Sequence, residues 1–453
     1  MQSTHLADPS YRDVGGFPEN RLKPTWHDQP YLVVAWLLFT VVRLWEAVIA
    51  PARIWPDSKN YEAIGSTPLW SRAFWFGGRP PLTPFLWKLS GSAERFVIGQ
   101  TLISAFAWGF LAWTVGTLLP PGRKRLIGVS VILAFAITKP IALWDGSVLS
   151  ESLALSGLAL LFGASILLVQ KLTPLRAAAL VLAALWCALA RDTQIILPAT
   201  LAATFLIVAL RRRRTPRLRP LLLIAFALLL AAGFCMTTVV ESGRDAVNTT
   251  DNLYARVFPY PARVAWFASH GMPEARRIDA LASSEPTPVG TAATVFPNLT
   301  SPTYIRLHTW VHDHGSTTYA LWIATHPWLV ILEPLRKPQE AFGNASAGIN
   351  AYEATNTASF GLTPLFWEPG IWLLAVATGT LAIAYRRDLR SNRALQVIIG
   401  LGLIGIPAML VAWNGDGEET TRHTFEGLAE IHLGVLIALL YVVLAPRLRH
   451  LES

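Results

Sequence analysis

Stretches of roughly 18 or more apolar residues recur along this 453-residue chain, separated by polar segments. A helix needs about 20 apolar residues to cross a bilayer's hydrocarbon core, where no water satisfies backbone N–H and C=O groups. The pattern restricts the chain to an all-α polytopic membrane protein. Composition agrees: 53% of residues are hydrophobic and 15% charged, where a soluble domain carries about a quarter charged. The net charge of +9 does not point to nucleic acid. Most basic residues sit in short loops between apolar runs, where they set topology.

About ten spans are expected, near 31–50, 96–119, 126–143, 149–169, 174–190, 194–210, 219–240, 365–384, 394–412 and 425–445. The expected organisation is a cytoplasmic tail over 1–30, a transmembrane core over 31–240, an extracytoplasmic region over 241–363, further spans over 364–446 and a cytoplasmic tail over 447–453. Residues 1–30 are polar and carry no cleavable signal pattern, so the first span is expected to direct its own insertion. The basic stops at 120–125, 211–219, 386–390 and 447–449 then share the cytoplasmic side. Loops 51–95, 144–150, 191–193, 241–363 and 413–424, which mix acids with Arg or His, share the other. The first of these also holds several Arg and Lys, read as headgroup or ligand contacts. Its Trp55, Trp70, Trp75, Phe85 and Trp87 suit interfacial helices, divided by Gly77-Gly78-Arg79-Pro80-Pro81. Cys187 and Cys235 fall within or at the end of apolar runs and read as small core residues.

Asp57, a few residues past the first span, is the first acid with a claim on chemistry. Asp57-Ser58 could simply cap a short helix. The functional alternative is a general base, or an electrostatic partner for developing positive charge. Other ionisable groups gather on the same side: Arg79, Asp145, Glu151, Arg191, Asp192, Glu418, Glu419, Arg422 and His423. Arg and His suit a phosphate, and a carboxylate suits removal of a proton from an attacking hydroxyl. The plainer account is a set of salt bridges at helix ends. Helices are expected near 303–332, where His308, His312, Asp313 and His314 invite a metal reading, against that of a solvated surface helix. Asn298 and Asn344 stand in glycosylation patterns that matter only in a eukaryotic secretory route.

Pro56-Asp57-Ser58-x-x-Tyr61 after the first span resembles the C-type (GT-C) glycosyltransferase superfamily, as do Arg79-Pro80-Pro81, Ser150-Glu151-Ser152-Leu153 and Arg191-Asp192. Fainter echoes lie at Tyr319 to Pro327 and at Glu419-x-x-Arg422-His423. The resemblance implies a seven-span core with additions, a polyprenyl-phosphate-linked sugar donor, and an acceptor that is a glycan, lipid or protein. It implies Asp57 as the base and Arg79, Arg191, Arg422 or His423 on the phosphate. Tyr61, Asp145, Glu151 and Glu419 would line the substrate, and an inverting displacement would follow. Localisation would be a bacterial cytoplasmic membrane, with the site outside. Many members carry two adjacent first-loop acids, but Ser58 follows Asp57 here, which leaves a divalent metal possible and no cofactor certain. A multi-pass transporter or lipid flippase is the alternative. It should show ionisable or broken sites near helix midpoints and an internal repeat, and none is read; Pro198 and Pro407 pass as ordinary kinks. A non-catalytic scaffold or lipid binder is the third class.

Overall fold

The computed structural model describes residues 30–211, 220–242, 245–278, 304–341, 362–385, 392–415, 417 and 420–444. In chain order the main helices are α1 (Pro30–Ile49), α2 (Pro56–Ser66), α3 (Leu82–Ser90), α4 (Ala93–Thr117), α5 (Arg123–Ile137), α6 (Glu151–Gln170) and α7 (Pro174–Ala190). There follow α8 (Ile196–Arg211), α9 (Pro220–Ser242), α10 (Pro327–Arg336), α11 (Pro369–Tyr385), α12 (Arg393–Gly415) and α13 (Thr420–Leu444). Among the described residues no strand forms, apart from an isolated parallel bridge between Arg53 and Ser147.

Among the described residues seven helices are long and apolar enough to cross a membrane: α1, α4, α6, α8 taken with its preceding turn as Asp192–Leu210, α9, α12 and α13. The third expected span is bent instead: α5 and Lys139–Gly146 meet at 60°. Thr138 closes α5 by bonding the Phe135 carbonyl at 2.6 Å, and Pro140, lacking an N–H, fits the first turn of the next helix. The fifth and eighth expected spans, α7 and α11, are apolar helices of 17 residues. Helix α11 runs beside α13, with Trp372 stacked on His432 at 4.2 Å and Gly379 facing Leu439.

Helix α6 is the centre of the bundle. It is buried from Glu151 to Ile166, with a break at half-buried Leu160, and its Ser, Ala and Gly residues let its neighbours approach closely. Helix α1 lies at the rim, where Leu38, Val41 and Trp45 are exposed as lipid-facing side chains are. Helices α12 and α13 meet backbone to backbone. A Cβ on Gly405 would collide with the Gly427 carbonyl oxygen, and one on Gly402 would lie 3.1 Å from the Gly434 Cα. Such small-residue seams let helices pack in lipid, where no hydrophobic effect drives them together. The seam runs up to Gly427, near the start of α13.

Between α9 and α11 the chain builds a smaller helical unit with its own aromatic core of Phe267, Trp310, Tyr319 and Trp322. Where helices are expected near 303–332, three form: Ile305–Trp310, Ser316–Thr325 and α10. A π-turn, Val311–Gly315, joins the first two, and Pro327 starts α10.

Candidate functional site

Two loops are zipped together at one end of the bundle. The Arg53 N–H bonds the Gly146 carbonyl, and the Val148 N–H bonds the Arg53 carbonyl, both at 2.9 Å. The Arg53 guanidinium lies over Gly146, 2.5 Å from where a Cβ would stand, so a larger residue there would have to displace it. Ser58 Oγ accepts from the Trp55 N–H at 2.9 Å and donates to the Val148 carbonyl at 2.7 Å. Trp55 is therefore the N-cap of α2 with Pro56 following, and Asp57 stands in the first turn, not at the cap. Its side chain is left for other partners.

Those partners are arginines. Arg79 bonds Asp57 Oδ1, and Arg422 reaches Asp57 Oδ2 at 3.1 Å. Arg422 also bonds Glu151 through Nε. Arg191 Nη1 lies 2.6 Å from Glu151 and 2.7 Å from Glu426. Thr193 donates to Glu426 at 2.6 Å. Arg191 Nη2 contacts His423 Nδ1 at 3.0 Å; since a guanidinium can only donate, that nitrogen accepts. Exposure falls along the chain of partners, from 23% for the Asp57 side chain to 0% for Glu151. The cluster thus has an accessible rim and a closed base. Burial opposes the Arg191 charge, but Glu151 and Glu426 outweigh it and hold its pKa above the ordinary value. Tyr61 is buried beneath Arg79, whose guanidinium lies 5.7 Å from its ring centre, and donates to Ser150 Oγ at 3.2 Å. Burial pushes its phenol up; Arg79 opposes this, and Asp57 and Glu151 add to it.

Of the expected site residues, the fold gathers Asp57, Tyr61, Arg79, Glu151, Arg191, Arg422 and His423. Asp145 has separate partners: buried Arg43 of α1 and Ser152 Oγ at 2.6 Å. Gln100 of α4 bonds the carbonyls of Asp145 and Ser147, both at 2.6 Å. Here Asp145 secures the second loop to α1, α4 and α6. Glu419 lies outside the described residues, as do Glu418, Asn298 and Asn344. Arg422 and His423, expected in a loop, belong to the first turn of α13, which starts at Thr420. Glu426 and Thr193 join the cluster without having been singled out. Glu426 was legible in principle, four residues from Arg422 on one helix face.

Among the described residues no group of three His, Cys, Asp or Glu is placed to hold a metal ion, and His312 contacts Asp313 in an exposed pair at 3.0 Å. The acids of the main cluster face three guanidinium groups, a donor set that does not fit a divalent cation. What the cluster can offer is an anion site with a carboxylate at its rim. No protein-family model matches the chain, and no curated protein matches it.

Proposed function

We propose that the chain is a C-type membrane glycosyltransferase that moves a sugar from a polyprenyl-phosphate donor to an acceptor hydroxyl on a glycan, lipid or protein. The observation that carries this reading is the hold of Arg79 and Arg422 on both oxygens of Asp57. A donor phosphate is a better bidentate partner for two guanidinium groups than one carboxylate. When it binds, the arginines pass to it and the Asp57 carboxylate is released beside it. The acceptor oxygen then attacks the sugar's anomeric carbon as its proton passes to Asp57. The bond from that carbon to the phosphate oxygen breaks, its electron pair stays on the phosphate, and Arg79 and Arg422 stabilise that charge. Attack opposite the leaving group inverts the anomeric centre. Arg191 and His423 support Arg422 from behind.

In this reading α5 with its bent continuation, α7 and α11 also cross, giving ten spans in the cytoplasmic membrane. The Asp57 end faces outward. The turns bearing Arg123, Lys124 and Lys171 face inward, in keeping with the distribution of basic residues in membrane proteins. A transporter or lipid flippase is the second reading, and Glu430 is the observation that favours it. It is buried well inside α13, and its Oε1 has no hydrogen-bond partner among the described residues; buried acids in membrane spans mark pathways.

The deciding experiment presents polyprenyl-phosphate sugars to the purified protein in detergent, wild type beside Asp57→Asn. The expected result is donor binding by both and a loss of turnover in the variant of roughly 10²–10⁴-fold, the range for a general base. Full activity in Asp57→Asn removes it as the base. Failure of both proteins to bind any such lipid transfers support to the transporter.

A further inference from the structure

Helix α10 presents apolar residues on both of its sides. On one, Leu329 and Val330 pack against the aromatic core around Trp322, and buried Glu333 bonds Arg263 at 3.0 Å. A helix on a watery surface would be polar on the other side. Instead Trp328, Ile331, Leu332 and Leu335 stand there, at the i, i+3, i+4, i+7 spacing of one continuous face. They are 73%, 41%, 37% and 59% exposed.

The height of α10 can be read from its neighbours. Glu333 lies 3.8 Å from Arg256, whose guanidinium sits 4.1 Å over the Trp413 ring near the end of α12. Just beyond α10, the Ala341 carbonyl accepts from Thr424 Oγ1 at 3.0 Å in the first turns of α13. Helix α10 is therefore level with the ends of two membrane-crossing helices, where hydrocarbon gives way to headgroups. It packs against α12, whose own Leu403, Ile406 and Val411 are exposed. Exposed apolar side chains thus stand on both of these packed helices.

We infer that α10 is a membrane-docking helix that lies in the interface plane, its Trp328, Ile331, Leu332 and Leu335 face set into the leaflet at the Asp57 end. An apolar stripe that opens on a Trp and is followed by a cation is what that environment selects. Arg336, exposed at the end of the helix, meets lipid phosphates. The occupant of this surface is the bilayer, whatever reaction the neighbouring site performs.

The test places single cysteines at Trp328 and Leu335 in the full-length protein carrying Cys235→Ser, with an environment-sensitive fluorophore on each. Leu403→Cys on α12 serves as the lipid-facing standard and Arg306→Cys, an exposed position in the same unit, as the aqueous one. The proteins are reconstituted into phosphatidylcholine and phosphatidylglycerol vesicles with or without spin-labelled lipid. Trp328→Cys and Leu335→Cys are expected to lose fluorescence to spin-labelled lipid as Leu403→Cys does, and to resist aqueous iodide. Iodide quenching equal to that of Arg306→Cys puts the stripe in water and overturns the inference. Quenching by neither agent means protein covers it, which overturns it equally. The substituted side chains are exposed, so little core packing is lost, and both positions must give the same answer.

Discussion

Arg191 stands between two buried carboxylates, Glu151 and Glu426, each within 2.7 Å of its Nη1. Arg191→Ala leaves both acids facing each other, and breaking a buried pair this way costs roughly 3–5 kcal/mol. The expected outcome is a large drop in the unfolding temperature in detergent, partly restored when Glu426→Gln is added. Arg422 differs, because it also reaches the rim. On the proposed function, Arg422→Ala is expected to weaken donor binding by about 1.5–3 kcal/mol, the worth of a hydrogen bond to a charged group. An unchanged apparent affinity would move the proposed phosphate site toward Arg191. The charged residues of the cluster were mostly legible because acids and arginines at span ends need a reason to be there. Which acid meets which arginine was not. Asp145 pairs with Arg43, a cation inside the first apolar run, and nothing in a linear pattern announces that contact.

The seam between α12 and α13 sets where Arg422 stands. Gly405→Leu would force a side chain into the Gly427 carbonyl. It is expected to cost about 1–3 kcal/mol, as overpacking does, and to lower turnover by shifting α13. Gly400→Ala is the control: among the described residues nothing lies within 4 Å of its added Cβ, so stability should not fall, Ala being the better helix former, and turnover should not change. Equal effects from both substitutions would remove the seam as the positioning device. Hydropathy found the long helices because run length and apolar content are what a membrane demands. It could not find the 60° bend after α5 or the early start of α13. Both depend on local breaks and partners: Thr138 and Pro140 in one case, Asp57, Glu151 and Arg191 around Arg422 in the other.

At the scale of the molecule, the proposed outward placement of the Asp57 end makes a labelling prediction. Lys59→Cys in intact cells should react with a membrane-impermeant thiol reagent, and Lys171→Cys only after lysis; the reverse pattern inverts the topology. The buried cluster itself divides into three parts, each nearly neutral. The first loop brings Asp57 with Arg79, the α6–α7 hairpin brings Glu151 with Arg191, and α13 brings Arg422 with Glu426. Arg422 follows Glu151 by 271 positions and Asp57 by 365, so the ribosome delivers it long after its partners. During that interval each earlier segment already holds an acid and a base of its own. The charges of this cluster are thus matched within each segment as it is made, and the late arrival of α13 completes the cluster without changing its net charge. Assembly of the site is thereby uncoupled from the order in which its parts are made.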